Sequence, residues 1–167
     1  MYFVSKVFNG KVYVMPRPRM GDWLEDEIRR FRHAGITGIV SLLTPAENCE
    51  LDLTAEAQLC DVHGLSFYGF SIADRGVPES GIRFVKFIGT LCNALQDGAS
   101  LAIHCRAGIG RAGMTAASLL IASGMRGDGA FELVENARGR TVPDTPEQRE
   151  WVLQMADMLR HGGCCSD

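Results

Sequence analysis

The sequence predicts an α/β fold in which a mainly parallel central sheet is flanked by helices. Two observations lead to this fold class. Short segments rich in Val, Ile and aromatic residues alternate with longer segments whose apolar residues recur at helical spacing. The last short segment runs into a glycine-punctuated loop at 105–111, and only helical patterns follow it. Because α/β folds bind ligands at the carboxyl ends of their strands, we expect this loop to lie at such an edge.

Five strands and six helices are predicted in chain order. Asn9-Gly10 is a hairpin turn signal between the first two strands. The strands are expected at 2–8, 12–15, 36–43, 65–70 and 100–104. The helices are expected at 23–33, 54–62, 81–95, 113–123, 128–138 and 146–159. The third helix has an apolar stripe formed by Ile82, Val85, Ile88, Leu91 and Leu95.

Length and composition favour one domain covering residues 1–167. An apolar content of 46% is enough for a single core, and a net charge of −3 gives no reason to expect nucleic acid or a membrane surface as a partner. No stretch is long and apolar enough to cross a bilayer, and the first residues lack the layout of a signal peptide. We therefore expect a cytoplasmic monomer.

The six cysteines are spread along the chain without the spacing of a disulfide framework, so reduced thiols are expected. No Cys or His pair has the spacing of metal ligands, and neither a metal nor another cofactor is predicted. The terminal Cys164-Cys165-Ser166-Asp167 is expected to be a frayed tail rather than a prenylation box, because its residues do not fit that motif.

Residues 104–111 predict a nucleophile at the floor of a phosphate-binding loop. Leu101-Ala102-Ile103 leads the chain to Cys105, and a thiolate is the reactive form of cysteine. Gly108 and Gly110 allow backbone amides to turn toward an anion, and the guanidinium of Arg111 matches two phosphoryl oxygens. The predicted phosphate-binding residues are Arg106, Ala107, Gly108, Ile109, Gly110 and Arg111.

Asp74 is the candidate proton donor, because a phosphate monoester releases a poor alkoxide leaving group. It lies in the segment 72–78, which contains a glycine and ends in proline. If Asp74 stood alone, an Asx-type turn would be the better explanation, but the phosphate-binding loop elsewhere in the chain favours the acid. The neighbouring Arg75 either steers phosphate or lies in solvent.

These segments resemble those of cysteine-dependent protein phosphatases. The H-C-x5-R pattern at 104–111, the acid loop at 72–78 and the segment 142–148 occur in the order of that family. The resemblance is to the compact dual-specificity branch, which includes the cyclin-dependent-kinase-associated phosphatase and its bacterial relatives. It implies that His104 supports the phosphate-binding loop through a neighbouring hydrogen bond and favours the thiolate of Cys105, although a buried histidine at a strand end would explain His104 nearly as well. It also fits Asp74 as the group that first donates a proton and then activates water.

The resemblance also implies that Gln148 positions the hydrolytic water. Thr145-Pro146-Glu147-Gln148 is in addition a capping box with proline at the first helical position, and the two roles are compatible. Glu47 is a candidate carboxylate partner for Arg111. Arg17 and Arg19 form either a solvated loop or a substrate-docking patch.

One position departs from the family pattern. Most members have Ser or Thr after the arginine of the motif, and this chain has Ala112. In the family that hydroxyl eases departure of the cysteine sulfur from phosphocysteine, so we expect a slower second step. Thr115 is the nearest hydroxyl downstream and is expected to face the core.

The expected substrate is a phosphorylated protein or peptide, carrying phosphotyrosine and possibly phosphoserine or phosphothreonine. The alternatives are a non-protein phosphate such as an inositide, a metabolite or an RNA 5′ end. A sulfurtransferase or arsenate reductase, and a phosphoprotein-binding module with weak catalysis, also remain open. A sulfurtransferase would not need Asp74, and the Ala112 departure favours the binding module only slightly.

Overall fold

The computed structural model describes residues 1–162, which form a five-stranded sheet covered by helices on both faces. The strand order is β1-β2-β5-β3-β4. The first two strands form an antiparallel hairpin, and the remaining neighbours are parallel. The strands are β1 Tyr2–Val7, β2 Gly10–Pro16, β3 Gly38–Ser41, β4 Ser66–Gly69 and β5 Ser100–Cys105. The predicted mainly parallel sheet is confirmed, with β5 at its centre.

The helices differ in length and in how they begin. A short 3-10 turn at Gly21–Trp23 precedes the first helix. The helices are α1 Leu24–His33, α2 Pro45–Glu50, α3 Glu56–Val62, α4 Gly81–Gln96, α5 Gly110–Ala122, α6 Gly127–Arg138, α7 Pro146–Gln154 and α8 Ala156–Gly162.

The sheet separates two hydrophobic clusters. The larger cluster joins α4, α5, α6, α7 and α8 to one face of the sheet. Every residue of α5 is buried. The smaller cluster packs α1 and α3 against the other face, through residues such as Ile28, Ile39 and Cys60. Because helices pack on both faces of β5, the last residues of this strand and the start of the loop that follows are fixed by packing.

Several predicted boundaries are wrong. Helix α2 was not expected, since six residues are too few to show an apolar period. Helix α5 begins at Gly110 rather than at 113, and the expected helix 146–159 is divided at Met155, whose amide donates to the carbonyls of both Trp151 and Val152. In α4, Ile82 is 63% exposed and Phe84 is buried in its place, so the stripe is displaced at its start.

The sequence expectation about Cys164 and Cys165 lies outside the described residues. Within residues 1–162, no helix is both long enough and apolar enough to cross a membrane.

Candidate active site

Cys105 is the last residue of the central strand and is only 3% exposed. It pairs in register with Pro16 of β2, while the preceding His104 pairs with Ser41 of β3. The carboxyl ends of three parallel strands therefore meet at this point. Cys105 lies where the fold class predicts a ligand site.

The loop 106–109 has the properties of an anion-binding loop. None of its four backbone amides donates to an acceptor within residues 1–162, although the loop lies between a buried strand and a buried helix. Gly108 has φ +69°, and a Cβ on it would collide with the backbone of Met15 and Pro16. Both the conformation and the close approach therefore require glycine there. The unpaired amides precede the N-terminus of α5, whose helix dipole also favours an anion.

Arg111 lies in the first turn of α5, is 2% exposed and makes a bidentate ion pair with Glu47. Its Nη1 lies 2.7 Å from one Glu47 oxygen and its Nη2 lies 2.9 Å from the other. Nη1 also donates to the carbonyl of Ile72 at 2.8 Å. This is the carboxylate pair expected from the sequence. The Nε–H of Arg111 donates to no acceptor among the described residues, so the Nε edge is free for an anion.

The Glu47–Arg111 pair shifts the pKa values of both partners. Burial alone would raise the pKa of Glu47, but hydrogen bonds from Arg111 and from Thr44 hold it at about 2. Burial would lower the pKa of Arg111, and the hydrogen bonds with Glu47 together with the negative charges of Cys105 and Asp74 outweigh burial and raise it. Arg111 is therefore a permanent cation close to the sulfur of Cys105.

Helix α2 positions Glu47 through a complete capping box. The Thr44 hydroxyl accepts from the backbone amide of Glu47 at 3.2 Å, and the Glu47 carboxylate accepts from the backbone amide of Thr44 at 3.0 Å. Pro45 is suited to the first helical position. One carboxylate therefore both caps α2 and orients Arg111.

Asp74 also contacts Arg111. The Oδ1 atom of Asp74 lies 2.8 Å from Nη2 of Arg111, and the Asp74 side chain is 58% exposed to solvent. The next residue, Arg75, has φ +56°, an uncommon conformation for a residue with a side chain. Arg75 is exposed, and its charge lowers the pKa of Glu147, after the stronger effects of the hydrogen bonds from the Glu147 amide and from Thr145.

Gln148 connects α7 to the acid loop. Its side chain is buried, and Nε2 donates to the carbonyl of Gly76 at 2.8 Å. Its backbone amide donates to the Thr145 hydroxyl, so Thr145 caps α7 as predicted. The reciprocal half of the expected capping box is absent, because the Gln148 side chain bonds Gly76 instead. Its Oε1 is buried without a hydrogen-bond partner among the described residues.

Arg106 is the basic side chain inside the loop, and it is already paired. Its two Nη atoms donate to both oxygens of Glu50, at 3.1 and 2.8 Å. These hydrogen bonds raise its pKa. Ala107 is exposed and Ile109 is half-buried, so the remaining loop side chains present no charge.

Ala112 and Thr115, the two positions that bear on the missing hydroxyl, are both buried. Ala112 is 0% exposed in the first turn of α5. Thr115 is also 0% exposed, as expected, and its hydroxyl has no hydrogen-bond partner among the described residues.

His104 lies beside a carboxylate that the sequence analysis did not identify. Its Nε2 lies 3.0 Å from Oε1 of Glu56, and both side chains are almost fully buried. Because 48 positions separate the two residues in the sequence, only the packing of α3 against β5 brings them together. A glutamate at the start of a short helix carries no local signal of that contact.

Two small cavities border the loop, and a larger one lies under the acid loop. One of about 310 Å³ is lined by Ile109, Arg140, Thr141, Pro143 and Asp144. Another of about 220 Å³ is lined by Arg17, Pro18, Arg19, Met20 and Trp23. It adjoins the phosphate-binding loop, because the Arg17 amide donates to the carbonyl of Arg106 at 3.3 Å. A third cavity, of about 430 Å³, is lined in part by Ile72, Ala73 and Val77, and Cys105 is not among its lining residues.

Comparison with known protein families shows to which family the chain belongs. Residues 14–125 match the family model described as a polymorphic toxin system DSP-PTPase phosphatase. The chain belongs to this phosphatase family. The matched region contains the acid loop, the phosphate-binding loop and all of α5.

Curated relatives of this phosphatase carry tyrosine phosphatase names. The chain is 33% identical over 150 residues to protein tyrosine phosphatase domain-containing protein 1 of Bos taurus, and the aligned region covers 83% of the chain and 19% of the relative. The protein of the same name from Danio rerio is 29% identical over 141 residues, covering 79% and 19%. The chain thus spans about a fifth of the length of these relatives.

Solved phosphatase structures share the fold. A kinase associated phosphatase with its catalytic cysteine replaced by serine superposes with a TM-score of 0.78 at 21% identity, covering 89% of this chain and 86% of that one. PTPMT1 superposes with a TM-score of 0.75 at 18% identity, covering 96% of both chains. The expected compact cysteine-phosphatase fold is confirmed.

Proposed function

We propose that this phosphatase hydrolyses phosphate monoesters of proteins through a phosphocysteine on Cys105. In the first step the sulfur of Cys105 attacks phosphorus, the bond from phosphorus to the ester oxygen breaks, and Asp74 gives its proton to the departing oxygen. The free amides of the loop 106–109 and the Nε edge of Arg111 hold the three phosphoryl oxygens. Fixed donors of this kind stabilise charge that develops in the transition state.

In the second step water attacks the phosphocysteine. Asp74, now a carboxylate, accepts a proton from the water, the S–P bond breaks, and phosphate and the Cys105 thiolate are released. Gln148 supports this step from a buried position, because its amide is bonded to Gly76 in the acid loop. Its unpaired Oε1 is available to accept a hydrogen bond from the attacking water.

Asp74 has to change partner during this cycle. Its carboxylate binds Nη2 of Arg111, which neighbours the free Nε–H on the edge that faces the anion. A phosphoryl group held by both Nε and Nη2 would occupy the place of that carboxylate. We infer that substrate binding releases Asp74 from Arg111, and that the freed carboxylate takes up a proton from water and then lies beside the ester oxygen as the proton donor.

The side chains of the loop itself favour a phosphorylated protein over an inositide. Additional ring phosphates would need free cations, but within the loop Glu50 already pairs with Arg106, and Ile109 is apolar. Arg17 and Arg140, which line the two bordering cavities, have no ion pair among the described residues, and they are the cations that an inositide would use. A solved structure of PTPMT1 contains PI(5)P, so the inositide remains the second substrate to test. Arg17 and Arg19 border the adjoining cavity, and Arg19 is itself paired with Glu27 at 2.8 Å.

The observation that carries the proposal is the ring of unpaired amides between buried Cys105 and buried Arg111. The test is hydrolysis of p-nitrophenyl phosphate with and without orthovanadate. We expect turnover that vanadate blocks and that Cys105→Ser and Arg111→Lys abolish, since lysine keeps the charge but lacks the planar pair of donors. Turnover that survives Cys105→Ser would contradict the proposal.

Substrate class is tested with three phosphate donors at equal concentration. These are a phosphotyrosine peptide, a phosphoserine peptide of the same sequence, and PI(5)P in mixed micelles. We expect kcat/KM to be highest for a phosphopeptide. A higher value for PI(5)P would assign the site to the lipid headgroup.

The cytoplasmic location and monomeric state expected from the sequence stay predictions, which cell fractionation and sedimentation would test.

A further inference from the structure

A buried polar pair lies directly behind Cys105. His104 precedes Cys105 in β5, and Glu56 begins α3 on the opposite face of the sheet from α5. Their side chains are 0% and 2% exposed, with 3.0 Å between Nε2 and Oε1. The chemistry proposed above does not involve Glu56.

Few other groups are available to satisfy this pair. Apart from their mutual approach, which lacks the angles of a hydrogen bond, the ring nitrogens of His104 and the oxygens of Glu56 have no hydrogen-bond partner among the described residues. Ser41 lies opposite His104 on β3, and its buried hydroxyl also has no hydrogen-bond partner within residues 1–162. Two ionisable groups are thus held against each other in a region closed to solvent.

Burial limits the charge states that the pair can adopt. A buried carboxylate without a counter-charge is strongly disfavoured, so the pair is either a carboxylate beside an imidazolium or a neutral acid beside a neutral ring. We take the first state, which the nitrogen chemical shifts of the His104 ring distinguish from the second. Cys60, one turn along α3, is a further titratable side chain that interacts with Glu56. Burial, followed by the Glu56 charge, raises the pKa of Cys60 to about 12, so Cys60 is a neutral thiol that supplies no positive charge.

We propose that Glu56 is a positioning residue for the cysteine chemistry. Its carboxylate holds His104 as an imidazolium, and this positive charge stabilises the thiolate of the adjacent Cys105. The inference rests on the proposed function only in taking Cys105 as the nucleophile. The imidazolium, partly compensated by Glu56, lies behind the sulfur, while Arg111 and the loop amides surround the phosphoryl group.

The thiolate is measured by alkylation of Cys105 with iodoacetamide, with the modified Cys105 peptide quantified by mass spectrometry. We expect Glu56→Gln to slow alkylation about tenfold at about pH 6, and to leave it nearly unchanged at about pH 9, where the thiol ionises without help. Asp61→Asn is the matched control, because it removes the same charge from the exposed face of the same helix. It should match the parent protein at both pH values.

The readout separates a positioning role from a structural one. A lower melting temperature with unchanged alkylation would assign Glu56 to stability alone, and faster alkylation would show that Glu56 opposes the thiolate. Either result overturns the proposal. In a double variant with His104→Asn, Glu56→Gln should have little further effect on alkylation, because the charge acts through His104. Additive losses would contradict that route.

A second measurement needs no variant. The nitrogen chemical shifts of the His104 ring in the parent protein distinguish an imidazolium from a neutral ring at about pH 7. The imidazolium pattern is expected, and a neutral ring overturns the proposal even where Glu56→Gln fails to fold. Absence of phosphatase turnover would contradict the proposed function while leaving both of these measurements interpretable.

Discussion

Asp74 and Glu47 bind the same guanidinium nitrogen, Nη2 of Arg111, at 2.8 and 2.9 Å. The two carboxylates have different surroundings. Glu47 is buried and bound through both oxygens, whereas the Asp74 side chain is more than half exposed and bound through one. We infer that Glu47 keeps Arg111 in place throughout the reaction and that Asp74 can leave. This difference between the two pairs leads to the first two predictions.

Glu47→Gln should destabilise the protein at neutral pH. The pKa of Glu47 falls from 4.5 to about 2 on folding, which corresponds to about 3 kcal/mol of stability. Because the folded pKa is the lower one, this stability is fully present above about pH 4.5 and is lost as the pH falls through about 2. Chemical unfolding at several pH values checks it. Glu50→Gln, on the exposed side of α2, should leave stability nearly unchanged at every pH, because solvent screens an exposed ion pair.

Asp74→Asn should lower turnover while strengthening anion binding. Loss of the proton donor should cost roughly 10²-fold in kcat on a phosphopeptide, and less on p-nitrophenyl phosphate, whose leaving group needs less help. Vanadate should bind roughly two- to fivefold tighter, because a weak, half-exposed ion pair no longer competes for Arg111. Glu79→Gln, an exposed position on the same loop, is the control. Weaker vanadate binding in Asp74→Asn would contradict competition at Nη2.

Ala112→Ser should speed the second chemical step. A hydroxyl that donates to the departing sulfur stabilises charge developing only as the S–P bond breaks, which is worth about 1 to 3 kcal/mol. Rapid mixing of the parent protein with p-nitrophenyl phosphate should therefore give a burst of product before a slower steady rate. The serine variant should have a faster steady rate. No burst in the parent and no gain in the variant would show that position 112 is kinetically silent.

Gln148→Leu should affect the second step more than the first. The change removes the hydrogen bond to Gly76 and the free oxygen proposed to hold water, while keeping an apolar packing volume. We expect a larger burst relative to the steady rate, with kcat reduced by roughly 10-fold or less. Thr145→Ala, which removes only the helix cap, should cost about 1 kcal/mol of stability and leave the burst unchanged. Equal slowing of both phases by Gln148→Leu would place Gln148 in the positioning of Asp74 instead.

The sequence predicts the loop and its arginine because their residues are adjacent in the chain. Cys105, Gly108 and Arg111 lie within one short segment, and the glycine is required by a positive φ that the structure shows. The strand that leads into this segment is buried on both faces, so it reads as an unbroken apolar run. Local patterns of this kind are sufficient to find the centre of the site.

The parts that depend on distant contacts were harder to predict. Thr44-Pro45-Ala46-Glu47 and Thr145-Pro146-Glu147-Gln148 share one pattern of threonine, proline and a capping glutamate or glutamine. Glu47 caps α2 through its side chain, but the side chain of Gln148 bonds the acid loop, and the sequence does not distinguish the two outcomes. The contact between Glu56 and His104 has no local pattern at all, because it forms only when α3 packs on the sheet.

The central claim is that Cys105 carries the phosphoryl group during turnover. The most direct measurement is acid quenching of the protein within milliseconds of mixing with p-nitrophenyl phosphate, followed by mass spectrometry of the peptide that contains Cys105. We expect that peptide to gain the mass of one phosphoryl group, in an amount that decays once substrate is exhausted, and we expect no gain in Cys105→Ser. A protein that turns over while the Cys105 peptide stays unmodified, or that carries the phosphoryl group on another cysteine, would contradict the account.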